Sequence, residues 1–316
     1  MRISTGQPPS SSHTVSINTT TVCKGCSATT YNIEFDNEAG KYECQLPFKD
    51  EHSSISDNYD IAQKRLNSLL NRLKRNPETL QDSNNVIQDQ LNAGIIEQVS
   101  HIDESNAGNV YYNPHRDVIS ADRPTAKLQV VYDASSKSKN ETSLNEHFDS
   151  GPNLVPLVFD ILLQFCSQKA ALIGDLEKAF LNIIIHPSHG EYLHFLRYDD
   201  VFVDNPTLKT FRFTRLVFGL TGSLCVLNAT IGHHLNKYRQ MYLEFISTVK
   251  NPLYIHDFAS SQNSEEQCFE LCRKLKTIFA EGGFNMRKWA SNNKLLISRI
   301  EEAEKQKLEK ENKFAT

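Results

Sequence analysis

Apolar positions recur at helical spacing in the first third of the chain. In residues 58–75, NYDIAQKRLNSLLNRLKR, Ile61, Leu66, Leu69, Leu70 and Leu73 share one face, which predicts an amphipathic helix. Lys64, Arg65, Arg72, Lys74 and Arg75 cover the remainder, either as a solvated face or as a patch turned toward phosphates. Residues 85–97, NVIQDQLNAGIIE, predict a second helix ended by Gly94. The period then changes. Strand character marks 109–119 and 126–133, a helix is expected over 155–168, and AALIG at 170–174 predicts a short buried strand ending at Asp175. Residues 191–198 and 209–216 alternate apolar with polar side chains around the turn residues Asp204, Asn205 and Pro206, the pattern of a long hairpin. A helix is predicted over 223–247. Strands over 252–255 and 258–260 flank His256-Asp257, and a helix over 264–280 is stopped by Gly282-Gly283. Residues 1–30 are rich in Ser and Thr without an apolar period and read as a disordered leader, with order expected from about Tyr42, Leu46 and Pro47. The tail, 299–316, pairs charges at i,i+4 and predicts a solvated, fraying helix.

Composition narrows this picture. A 39% hydrophobic share supplies a packed core, and a net charge of −4 argues against tight unaided binding to phosphate backbones, leaving room for a local basic groove. No run approaches the roughly 20 apolar residues of a membrane span, and the first residues lack the apolar centre of a signal peptide. Seven cysteines, an odd number at irregular spacing, suggest reduced thiols and an intracellular protein, cytoplasmic or nuclear. Cys23-x-x-Cys26 with Cys44 lacks a matching second pair, so loose thiols are preferred over zinc. Cys268 and Cys272 share a helical face and read as packing residues, as do His233 and His234, which point about 100° apart on a helix.

Two places set a carboxylate at the end of an apolar strand: Asp175 in ALIGDLEKAF and Asp257 in PLYIHDFAS. Strands that end side by side can bring such groups to one point. Phosphoryl transfer to a nucleotide uses that arrangement to hold two divalent ions through hard oxygen ligands.

The order of segments around these carboxylates resembles the reverse-transcriptase region of BEL/Pao retroelement polyproteins, from residue 41 to about 293. KYECQLPFKD, DNYDIAQKRLNSLLNRLKRNPE, IQDQLNAGIIEQV, KLQVVYDASSKS, SLNEHFDSGPNLVP, GDLEKAFLNIIIHP, FRFTRLVFGLTGS, LNATIGHHL, YIHDFAS and FNMRKWASN carry the resemblance. It implies an α+β right-hand polymerase with fingers and a palm of antiparallel strands packed on helices. The implied division is a leader at 1–40, an N-terminal helical region at 41–100, fingers at 101–155, palm at 156–182, a fingers hairpin at 183–222, the second part of the palm at 223–293, and a helical tail at 294–316. A thumb is largely missing from that division, and no RNase H, integrase or protease motif is found, so the chain is expected to be a piece of a polyprotein.

The resemblance also implies roles. Asp175 and Asp257 would hold magnesium, as two ions, with the backbone carbonyl of Leu176 adding an oxygen. Phe180 would exclude a 2′-hydroxyl, or else be a core residue. Phe218 and Gly219 would lie beneath the incoming base and primer terminus. Lys288 would lie near the leaving pyrophosphate, or else be a surface lysine beside Trp289. The implied partners are an RNA template, a primer strand and deoxynucleoside triphosphates; no membrane is implied, and the oligomeric state is open.

Three residues depart from the family. His256 stands where relatives carry the first Asp of Tyr-x-Asp-Asp, and imidazole is a poor ligand for Mg²⁺. Gln129 replaces an Arg that would grip the triphosphate, and Leu224 replaces a Pro at the start of a helix. Impaired polymerisation is therefore expected, with weak Mn²⁺-dependent activity as a residual form. The alternative is a non-catalytic retroelement remnant that at most binds nucleic acid.

Overall fold

The computed structural model describes residues 32–49, 55–99, 110–119, 128–203, 205–242 and 252–314, together with positions 245 and 249. Cys23 and Cys26 lie outside these residues.

Order begins earlier than the composition suggested. Ile33–Asp36 (β1) and Lys41–Cys44 (β2) form an antiparallel hairpin, so residues 33–40 belong to the fold rather than to a leader. Asp36 closes the turn by accepting from the backbone N–H groups of Glu38 and Ala39, and Gly40 supplies the positive φ that the turn requires. Composition conceals this because the turn is polar and each strand has only four residues.

The helix α1 (Tyr59–Leu73) follows its pattern, burying Ala62, Leu66, Leu69 and Leu73. The next helix, α2 (Pro77–Asn92), differs from the expected 85–97. Pro77 sits in its first turn, where a missing N–H costs nothing, and the Asn76 side chain accepts from Thr79 N–H. Gly94, with φ 61°, turns the chain, and Ile96–Val99 leaves the helix as strand β3. The Ile95-Ile96 pair suits either period; pairing with a distant strand decides it.

Four sheets follow. Strand β2 pairs in parallel with Ile184–Ile185 (β7). His115–Ile119 (β4) and Leu128–Tyr132 (β5) form a two-stranded unit. The expected long hairpin is present as His194–Tyr198 (β8) and Leu208–Phe213 (β9), and β3 adds to it in the order β3-β9-β8. The fourth sheet has the order β10-β11-β6-β12, built from Ala170–Leu176 (β6), Leu253–Tyr254 (β10), Asp257–Gln262 (β11) and Met286–Ala290 (β12).

Helices cover one face of this last sheet. Helix α5 (Glu265–Glu281) buries Cys268, Leu271, Cys272, Leu275, Ile278 and Phe279, a stripe at helical period, and starts at the N-cap Ser264. Gly283 ends it with φ 76° and lies so close to the carbonyl of Gly40 that a Cβ would meet that oxygen at 2.5 Å. The final helix, α6 (Lys294–Phe314), packs Leu296 and Ile300 into the same core. Helix α3 (Val158–Phe165) is shorter than predicted. Helix α4 (Ser223–Asn236) stops about ten residues before the predicted end at 247. Beyond it the chain tightens into i to i−3 bonds, from Lys237 to His234, Tyr238 to Leu235 and Arg239 to Asn236. His233 and His234 both set their rings against Tyr42, and buried His234 bridges Tyr42 Oη and the carbonyl of Ile278.

In β6 the alternation places Ala170, Leu172, Gly174 and Leu176 in the core and Ala171, Ile173 and Asp175 on the opposite face. The strand expected to be buried is covered fully on one face, with Ile173 40% exposed on the other.

Candidate functional site

The open face of the β10-β11-β6-β12 sheet carries the two predicted carboxylates. Antiparallel pairing sets Asp257 directly opposite Asp175, so their side chains leave the sheet on the same side. Asp175 is the less exposed of the two, at 19% against 57% for Asp257. The first predicted strand ends a residue early at the turn, at Tyr254, whereas the second starts a residue early, at Asp257, and runs on to Gln262. Tyr254 pairs with Asp257, which leaves Ile255 and His256 as a two-residue turn. Ile255 adopts φ 61°, a region that strains a β-branched residue by roughly 1–3 kcal/mol. The turn is tied to the end of β6 by the N–H of Leu176, which donates to the His256 carbonyl at 2.8 Å.

This turn delivers His256 to the carboxylates. Its Nε2 lies 3.9 Å from Asp257 Oδ2. One ligand-capable atom from each of Asp175, His256 and Asp257 lies within 4.8 Å of the others, and among the described residues no other group of three His, Cys, Asp or Glu side chains does so.

Cations come from β12. Its pairing with β6 sets Arg287 opposite Asp175 and then slips in a bulge between Arg287 and Ala290. Lys288 takes φ 54° within that bulge, which re-aims its side chain. As a result two successive residues both reach acids of the Asp175–Glu177 segment. Arg287 Nη1 is 2.7 Å from Glu177 Oε1, and Lys288 Nζ is 3.1 Å from Asp175 Oδ2. Neither of the two readings of Lys288 from sequence anticipated this ion pair. The bulge is seated by Trp289, whose ring lies on Gly174 so closely that a Cβ there would meet it at 2.7 Å.

A divalent pair of the magnesium type needs oxygen donors in number. The side chains here offer two carboxylates, one already paired to an ammonium, and an imidazole. That donor set does not fit two magnesium ions.

The aromatic candidates Phe180 and Phe218 meet each other. Phe180 is half-buried, and its ring stands edge-on to that of Phe218, with centroids 5.7 Å apart. Phe218 is 77% exposed, so the pair presents an apolar surface to solvent. Gly219 has φ 100°, and its carbonyl accepts from Asn145 Nδ2 at 3.0 Å. Asn145 Oδ1 in turn accepts from Thr221 N–H at 2.8 Å, so one side chain clamps the turn. Leu224 is the second residue of α4, which follows Gly222 without a side-chain cap. Gly222 has φ 85°, and a Cβ there would meet the Asp149 carbonyl at 2.5 Å.

Gln129 lies on a different sheet from the two carboxylates. It is exposed on β5, paired with Val118 of β4. At the far end of β5, Asp133 pairs with Arg65 of α1 at 2.6 Å. A cleft of about 570 Å³ opens there between α1 and the β4–β5 unit, with Arg65, Arg72, Arg116 and Asp133 among its lining. Arg65 and Arg72 are seven residues apart, two helical turns on one face. The phosphate-facing alternative for α1 therefore has a concave surface to act through. Arg116 had no signal in the sequence, because only strand pairing brings it opposite that helix.

No protein-family model matches the chain, and no curated protein sequence does. Solved structures to which the chain is similar include a foamy viral protease-reverse transcriptase in complex with double-stranded DNA, at 17% identity and TM-score 0.49, over 66% of this chain and 31% of that one. A foamy viral protease-reverse transcriptase in complex with an RNA/DNA hybrid is similar at 19% identity and TM-score 0.49, over 69% of this chain and 24% of that one. The chain thus spans less than a third of the length of these proteins.

Proposed function

We propose that this chain is the fingers-and-palm part of a reverse transcriptase of the BEL/Pao retroelement kind, with its nucleotidyl-transfer chemistry impaired. The observation that carries the reading is the direct cross-strand pairing of Asp175 with Asp257 on the open face of an antiparallel sheet backed by helices. Two carboxylates picked out separately, as acids at the ends of apolar strands, meet there. The segments that resemble the family surround them in the same order.

In this reading the β10-β11-β6-β12 sheet is the palm, and the β4–β5 and β8–β9 units belong to the fingers. Phe180 and Phe218 form a platform for the sugar and base of an incoming nucleotide, and Gly219 lets the primer end approach the backbone. The arginine-lined cleft holds phosphates of the template strand. An intact site would join a primer 3′-hydroxyl to the α-phosphorus of a deoxynucleotide and release pyrophosphate. Here the third carboxylate is replaced by His256, Asp175 is engaged by Lys288, and Gln129 brings no charge to the triphosphate. If the loss amounts to several kcal/mol of transition-state stabilisation, roughly a thousandfold in rate disappears.

Primer extension on an RNA template tests the proposal. The expected outcome is negligible product with Mg²⁺ for the natural sequence and a gain of at least a hundredfold for His256→Asp. A second reading, a remnant that binds duplex without catalysis, is favoured by the Lys288–Asp175 ion pair. It predicts salt-sensitive duplex binding with no extension even for His256→Asp.

A further inference from the structure

We infer that Asp175, His256 and Asp257 form a site for a single divalent ion of the zinc class, selective against magnesium, with Lys288 standing where a second cation would otherwise be drawn. The inference uses the same carboxylates as the reverse-transcriptase reading but does not require catalysis.

The geometry suits such an ion. Zinc binds carboxylate oxygen and imidazole nitrogen at about 2.0–2.2 Å, so tetrahedral ligand atoms lie roughly 3.4 Å apart. The three side chains already hold ligand atoms within 4.8 Å of one another, and the His256–Asp257 separation is 3.9 Å. Closing on an ion takes about 1 Å of side-chain movement, and His256 and Asp257 are exposed enough to make it. Two carboxylates and an imidazole leave one tetrahedral position open for water.

Selectivity follows from the donors. Affinity for a mixed nitrogen and oxygen site rises along the first-row metals toward copper and zinc, whereas Mg²⁺ gains little from imidazole. Stoichiometry follows from Lys288. Its ammonium, 3.1 Å from Asp175 Oδ2, neutralises one carboxylate without any metal, so the remaining charge supports one ion rather than two. The same ammonium opposes that ion, and removing it should tighten binding.

Cobalt is the probe, because its visible absorption reports coordination. The full chain is titrated with Co²⁺, followed by competition with Zn²⁺ and with millimolar Mg²⁺. One Co²⁺ per chain is expected, displaced by Zn²⁺ and not by Mg²⁺, without the sulfur-to-cobalt charge-transfer band that cysteine ligands give. Asp257→Asn should abolish binding, His256→Asp should let Mg²⁺ compete, and Lys288→Met should tighten Co²⁺ about tenfold. The Cys23→Ser/Cys26→Ser double variant should bind as the natural sequence does. All of these positions outside the cysteines are at least half exposed or nearly so, and far-ultraviolet circular dichroism checks that each variant folds. Absence of the one-to-one site, a charge-transfer band that vanishes with the two cysteines, or ready displacement by Mg²⁺ overturns the inference. Any of these outcomes leaves duplex binding and primer extension untouched as measures of the polymerase reading.

Discussion

Gly174 has no side chain because Trp289 occupies the space. An ideal Cβ at this position would lie 2.7, 2.9 and 3.1 Å from three atoms of the indole ring. Carbon atoms in contact sit about 3.5–4.0 Å apart, so Gly174→Ala requires the ring to withdraw by about 1 Å. Withdrawal is resisted because Trp289 belongs to the bulged strand that also carries Lys288. Overpacking of this kind costs about 1–3 kcal/mol. At roughly 2–4 °C per kcal/mol for a domain of this size, the midpoint of thermal unfolding should fall by about 5 °C. The chain has a single tryptophan, so its fluorescence reports on the contact itself. The emission should shift as the ring moves into water. Adding Trp289→Leu to Gly174→Ala should recover part of the loss, followed by circular dichroism, and the two changes should be non-additive. If Gly174→Ala melts at the natural midpoint with unchanged emission, the packing argument for the bulge is wrong.

Burial pushes His115 and His194 each down to about 4, so both are neutral in the folded protein near pH 7. His194 is fully buried, and the Glu191 carboxylate 3.1 Å away is already engaged by Arg212. Below about pH 6.5 the unfolded chain takes up protons that the fold refuses, so stability should fall between pH 6.5 and 4, by at most about 3 kcal/mol per histidine. Urea midpoints at pH 7 and pH 5 measure this, and equal midpoints would contradict it. Arg72→Ala and Arg116→Ala should each lower the slope of log affinity against log salt for duplex DNA by about 0.9, without changing the urea midpoint. Gly222→Ala combines a positive φ with a backbone collision and should cost more than about 3 kcal/mol, visible as a larger fall in the thermal midpoint than Gly174→Ala produces.

Local patterning determined much of this protein. The spacing of Leu66, Leu69 and Leu73 specifies α1, and alternation specifies the β8–β9 hairpin, because both periods are properties of consecutive residues. The two carboxylates could be picked out as strand ends, and His256 as a departure in a recognisable stretch. Tertiary structure decided what lies opposite what. Ile95-Ile96 could have continued a helix, and only pairing with β9 made residues 96–99 a strand. Lys288 carries no local sign that it reaches Asp175; a bulge held by Trp289 against Gly174 turns it there. Arg116 joins Arg65 and Arg72 only through the packing of a strand against a helix. Contacts between residues far apart in the chain depend on register and burial, which no local period encodes.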